Sequence, residues 1–90
     1  MLFMIVERFV DGDPRPVYRR LREQGRGMPD GLRYVDSWVD LGLGRCFQLM
    51  ECDDPRLVQR WALHWAGLVE LEIVPVVPGG EARALVEATM

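Results

Sequence analysis

Hydrophobic and polar positions along the chain fall into blocks that alternate between a period of two and a period near 3.6. Leu2 to Phe9 (LFMIVERF) is apolar on both alternating sets, Leu2, Met4, Val6 and Phe3, Ile5, Phe9. That pattern predicts a strand with something packed on each face. Asp11-Gly12-Asp13 is turn chemistry, and Asp13 before Pro14 predicts an N-cap with proline at the first helical position. A helix follows to about Gln24, with Pro14, Val17, Tyr18 and Leu21 on one face and Gly25 able to close its end.

After a connecting loop from Arg26 to Gly31, Leu32 to Leu41 and Arg45 to Cys52 read as two strands joined by a Gly42-Leu43-Gly44 hairpin turn. Asp53-Asp54-Pro55 repeats the capped, proline-led helix start. The second helix carries Leu57, Val58, Trp61, Ala62 and Trp65 as one stripe, and Gly67 ends it. Val69 to Val77 is the fourth strand, and Pro75 removes a ladder donor, which suits an edge. Pro78-Gly79-Gly80 is a hinge, and the last ten residues form a helix too short to stand alone, which either docks or frays.

The order β-α-β-β-α-β predicts an α+β, ferredoxin-like domain over residues 1–78, with 79–90 as a tail. Its antiparallel sheet has four strands and carries two helices on one face. Helices cover only that face, whereas the first strand is apolar on both. A second copy of the chain is therefore expected against the other face, making a homodimer. Composition agrees. Counting glycine and leaving out tyrosine, the apolar share is about 57%, against roughly 45–50% for ordinary domains, and 90 residues hide such an excess poorly.

Charge and composition remove several function classes. A net charge of −3 leaves no electrostatic footprint for nucleic acid. The longest hydrophobic run, Met1 to Val6, is too short for a membrane span or a signal peptide, so a cytoplasmic protein is expected. All 11 basic residues are arginine, so neither a Schiff-base amine nor a phosphate-loop lysine is available. The same Arg-only, Asn-free bias fits a heat-adapted or a GC-rich source. Ser37 and Thr89 are the only hydroxyls besides tyrosine, and neither sits on the sharp turn that a hydrolase nucleophile needs.

The candidate chemistry is sparse. With a three-residue turn at 42–44, Trp38 would face Gln48, Asp36 would face Met50 and Tyr34 would face Cys52, all on one side of the sheet. Val35, Val39, Phe47 and Leu49 would then be core on the other side, whereas a four-residue turn would reverse this parity. Such a mixed face lines either a small-molecule pocket or a dimer interface, and Trp61 and Trp65, one turn apart on the second helix, are either a ligand platform or, more plainly, core. Without a second feature that demands a pocket, the interface is the plainer reading. His64, the only histidine, sits at the margin of the buried stripe as an acid/base, a haem ligand or simply a packed, hydrogen-bonded residue. Asp36 and Tyr34 are the other acid/base candidates. Glu51, Asp53 and Asp54 have a sufficient reason in the helix start rather than in a metal. Cys46 and Cys52, six residues apart on one strand, lie about 20 Å from each other, too far for a disulfide or a shared zinc.

The segment RCFQLMECDDP (Arg45 to Pro55), with Trp61, Trp65, the strand ending EIVPVV, the opening LFMIVERF and YVDSW (Tyr34 to Trp38), resembles a bacterial family, domain of unknown function 3303. The resemblance covers roughly residues 1–78, and the tail falls outside it. It implies a dimeric α/β-barrel of ferredoxin-like subunits and no activity. The wider superfamily includes cofactor-free monooxygenases, haem-degrading enzymes, isomerases and ligand sensors, so it spreads the choice of function. Three classes stay open: a small-molecule binding or sensing protein, a cofactor-free enzyme, and a module whose role is association. No resident cofactor is expected, haem being the one group His64 keeps in play.

Overall fold

The computed structural model describes residues 1–90. Strands β1 (Leu2–Phe9), β2 (Arg33–Val39), β3 (Arg45–Glu51) and β4 (Val69–Val76) alternate with helices α1 (Arg15–Gln24) and α2 (Arg56–His64), and α3 (Gly79–Glu87) closes the chain. All pairings are antiparallel, in the order β2-β3-β1-β4. This is the α+β, ferredoxin-like arrangement that the hydrophobic periods predict. Pro75 lies on β4, an edge strand, as expected for a residue without an N–H to donate.

Both helix starts use the same three residues, Asp-Pro-Arg. Asp13 accepts the Arg15 backbone N–H at 3.0 Å and also binds its guanidinium. Asp54 does the same for Arg56, again at 3.0 Å to the backbone N–H. Each carboxylate thus satisfies an orphan helix donor and holds a local countercharge. Glu51 binds Arg33 across β2 and β3, so two of the three acidic residues before α2, Glu51 and Asp54, have structural partners.

The core lies between the sheet and the two helices. Phe3, Ile5, Met50, Val58, Trp61 and Trp65 form its centre, and Ile5 and Met50 are wholly inaccessible. On β1 the alternation puts Phe3, Ile5, Glu7 and Phe9 under the helices and Leu2, Met4, Val6 and Arg8 on the other face. The register carries those faces across the sheet. Glu7 faces Cys46 and Leu71, and Ile5 faces Gln48 and Ile73.

The hairpin turn corrects one expectation. It spans four residues, Leu41 to Gly44, and is closed by the Asp40 N–H donating to the Arg45 carbonyl at 2.9 Å. The Asp40 carboxylate accepts the Gly42 N–H and the Arg45 guanidinium, and Leu43 is held at φ 62°. One extra turn residue shifts the pairing, so Trp38 faces Phe47, Ser37 faces Gln48 and Asp36 faces Leu49. A β-bulge between Tyr34 and Asp36 then shifts it again, bringing Tyr34 opposite Met50 rather than Cys52. The proposed single face is therefore split. Tyr34, Gln48 and Met50 lie under the helices, while Trp38 and Asp36 lie on the bare face. Phe47 and Leu49 are half-buried on that bare face instead of in the core, Val39 faces the helices, and Val35 is an exposed bulge residue.

The second helix is shorter than its stripe suggests. It ends at His64, leaving Trp65 as its C-cap, and Gly67, at φ 89°, belongs to the turn into β4. α3 forms as a helix but buries no residue, with Leu85 and Met90 exposed.

Candidate functional site

Where α1 and α2 diverge above the sheet they leave a cavity of about 90 Å³. Phe9, Val17, Leu21, Val39, Trp61 and Trp65 give it apolar walls, and Glu7, Tyr18, Arg26, Ser37, Cys46 and Gln48 supply the polar or titratable groups. A wider groove of about 580 Å³ runs between α2 and β4, but Gln59 is its only polar side chain. Ligand sites combine apolar walls with a few convergent polar groups. On that ground the smaller cavity is the candidate site.

The site is held by the loop between α1 and β2. Gly25 and Gly27, at φ 71° and 68°, flank Arg26 and turn its carbonyl inward. That one oxygen accepts the indole N–H of both Trp61 and Trp65, each at 3.0 Å, using its two lone pairs. The two indoles are four residues apart on α2, so the helical period sets them side by side against the loop. The Arg26 guanidinium stacks on the Tyr34 ring at 3.7 Å. The Tyr34 hydroxyl shares a 2.7 Å hydrogen bond with Ser37.

Two buried polar groups stand at the floor. Gln48 is 5% exposed, and its Nε2 is buried without a hydrogen-bond partner. An unmade bond of that kind costs about 1–3 kcal/mol, so the position is poorly explained by packing alone. Glu7 is 6% exposed. Burial pushes its carboxyl up to about 7, against a smaller opposing pull from Arg26. Because Glu7 pairs with Cys46 and Gln48 lies two residues along β3 on the same face, they are diagonal neighbours about 7–8 Å apart at the backbone. The Cys46 thiol is raised to about 11, by burial and by Glu7, which leaves it protonated and unreactive at neutral pH.

The sequence-derived candidates fare unequally. Gln48, Trp61 and Trp65 line the cavity, Met50 lies in the core, and Tyr34 supports Arg26 and Ser37 from beside the cavity. Trp38, 51% exposed, and Asp36 are on the opposite face. His64 does not line the cavity. Its ring packs so tightly on Gly27 that a β-carbon there would overlap it. Its Nε2 is buried without a partner, in place of the expected hydrogen bond, and a haem iron would reach it only by displacing the loop. Glu7 and Arg26 were not among the candidates. Glu7 had a signal, since strict alternation along β1 places a carboxylate between Ile5 and Phe9 on the core face.

A family model described as a domain of unknown function, DUF3303, matches residues 1–90. The chain belongs to that family. The match takes in residues 79–90, which were expected to fall outside it. No curated protein and no solved structure matches the chain. Family membership assigns no reaction, so the functional reading rests on the geometry of the cavity.

Proposed function

We propose that this DUF3303 protein binds a small organic molecule in the cavity between its helices and sheet, and that it does so as a homodimer. Gln48 carries the first part of the reading, since its side chain lines the cavity and its covered, unpartnered Nε2 would reach a bound acceptor by a turn of the amide. A bound molecule offering an acceptor would complete that hydrogen bond, and the two indoles supply a flat apolar wall. Benzene occupies a cavity of about 150 Å³, so one of about 90 Å³ is too small for a whole ring and encloses a short branched chain or part of a ring. The remainder of a larger ligand would stand in the mouth beside the exposed Tyr18.

An enzymatic role is the second reading, and Glu7 is the observation that favours it. A buried carboxyl with a value near 7 in a cavity has the properties of a general acid or base. His64, Asp36 and Tyr34 are replaced by Glu7 in that role. The dimer reading rests on the bare face, where Met4, Val6, Phe47, Leu49, Val74 and Trp38 leave apolar surface uncovered.

The test uses the three tryptophans as reporters, since two bound the cavity and one does not. Titration with benzamide, a neutral ring with an acceptor oxygen, is expected to shift the indole N–H resonances of Trp61 and Trp65 and leave that of Trp38 in place. Uniform small shifts in all three, or none with neutral and ionised ring probes alike at millimolar concentration, would remove the cavity as a binding site.

A further inference from the structure

We infer that the ligand is a small carboxylate anion with a ring or branched apolar tail, held among Gln48 Nε2, the Arg26 guanidinium and the Glu7 carboxyl. The inference rests on the binding reading above and names its ligand class.

Two donor groups at the cavity lack a hydrogen-bonded or ion-paired acceptor. Gln48 Nε2 has no partner, Arg26 brings a guanidinium that makes no ion pair, and Tyr18 and Ser37 add hydroxyls. A neutral apolar molecule would leave Gln48 unsatisfied, and a cation would sit beside Arg26. An anionic oxygen pair meets the amide and the guanidinium together, and charge-assisted bonds of that kind are the strong ones. The indoles of Trp61 and Trp65 with Val17 and Leu21 then line the part of the tail that enters the cavity.

Glu7 makes the binding depend on pH. The titratable groups facing it are Arg26 from the loop, Cys46 from β3 and Tyr18 from α1. β4 offers Leu71, and α2 offers only the two indoles. Arg26 is therefore the single positive charge set against it. With Glu7 ionised, its charge already faces Arg26 at longer range, and a carboxylate would add a second negative charge against one positive. With Glu7 protonated, ligand and Arg26 balance, and the Glu7 O–H becomes one more donor. Binding is thus coupled to proton uptake by Glu7, which on its own titrates near 7.

Benzoate is a suitable probe, ionised across the range, with benzamide as its neutral counterpart. Followed at the Trp61 and Trp65 indoles, benzoate should bind about tenfold more tightly at pH 6 than at pH 8, as the protonated fraction of Glu7 falls. Benzamide should change far less. Glu7→Gln, permanently neutral, should bind benzoate with one affinity at both pH values. Gln48→Leu should weaken benzoate about tenfold at both while keeping the pH ratio. The wild-type ratio needs no variant, so a variant that fails to fold leaves the test standing. Benzamide binding without benzoate binding, tighter benzoate binding at pH 8, or preference for benzylamine would overturn the anion assignment and leave the cavity as a site. Silence from every probe would instead remove the binding reading itself.

Discussion

At the scale of single residues, the unusual feature is a carboxylate placed where the fold calls for an apolar side chain. Glu7 belongs to the run Phe3, Ile5, Glu7, Phe9, and the burial that serves its neighbours penalises its charge. Its carboxyl is raised from 4.5 to about 7, so between those values the folded protein binds more protons than the unfolded chain. Stability is then greatest below the unfolded value and falls as pH rises through the window to about 7, by about 3 kcal/mol at most. Glu7→Gln should leave stability near pH 4 unchanged and raise it at pH 8 by up to that amount, measured by urea unfolding. A wild type that gains stability across the window would contradict the burial of Glu7. The exposed carboxylates of Asp13, Asp40, Glu51 and Asp54 act oppositely. Arginine partners and backbone N–H groups hold them below their ordinary values, so their contribution is lost only at more acid pH.

At the scale of elements, the Asp40–Arg45 hairpin decides which side chains meet the helices. Asp40 caps the turn and Leu43 takes a left-handed conformation that costs a β-carbon-bearing residue about 1–2 kcal/mol. Leu43 is exposed and asparagine tolerates that conformation. Leu43→Asn should therefore raise stability by about 0.5–1 kcal/mol, read as a higher melting temperature, and a lower one would argue against strain at this turn. The same hairpin marks how far the sequence could be read. Periods of two and 3.6, the repeated Asp-Pro starts and the edge proline made the order of strands and helices legible, because each is a local signal. The register was not legible. It depends on one residue of turn length and on a bulge at Val35, and a slip of one residue moves every side chain to the other face. Gln48 was read as a site residue, but its neighbours Glu7 and Arg26 come from β1 and a distant loop. Their meeting depends on the β1–β3 register and on two glycines, which no local pattern displays.

At the scale of the whole molecule, the subunit exposes more surface than its mass warrants. Its accessible area is 6192 Å², about 800 Å² above the roughly 5,400 Å² expected for a monomer of this size. Its radius of gyration is 14.8 Å, against about 12 Å for a compact domain of this length. Part of the difference lies in α3, which buries no residue, and part in the bare sheet face. An excess of about 800 Å² is close to what one partner contributes to a standard protein interface. The bare face is apolar at its centre, with Met4 between Leu49 and Val74 and Val6 beside Phe47. Its rim is charged, where Arg8 pairs with Glu72 and Arg33 with Glu51. That is the anatomy of a specific interface, and sheet-to-sheet contact of two copies would bury it without using the cavity on the opposite side. Light scattering at micromolar concentration should accordingly report twice 10.4 kDa. Trp38→Asp puts an unpaired charge at the exposed indole of the bare face and should shift the particle to a monomer. The same variant should keep the shifts of Trp61 and Trp65 on benzamide addition, because the cavity faces the other way. Loss of those shifts together with the dimer would mean that the second copy helps to form the binding site, and a wild type that stays at 10.4 kDa would leave the apolar face unexplained by self-association.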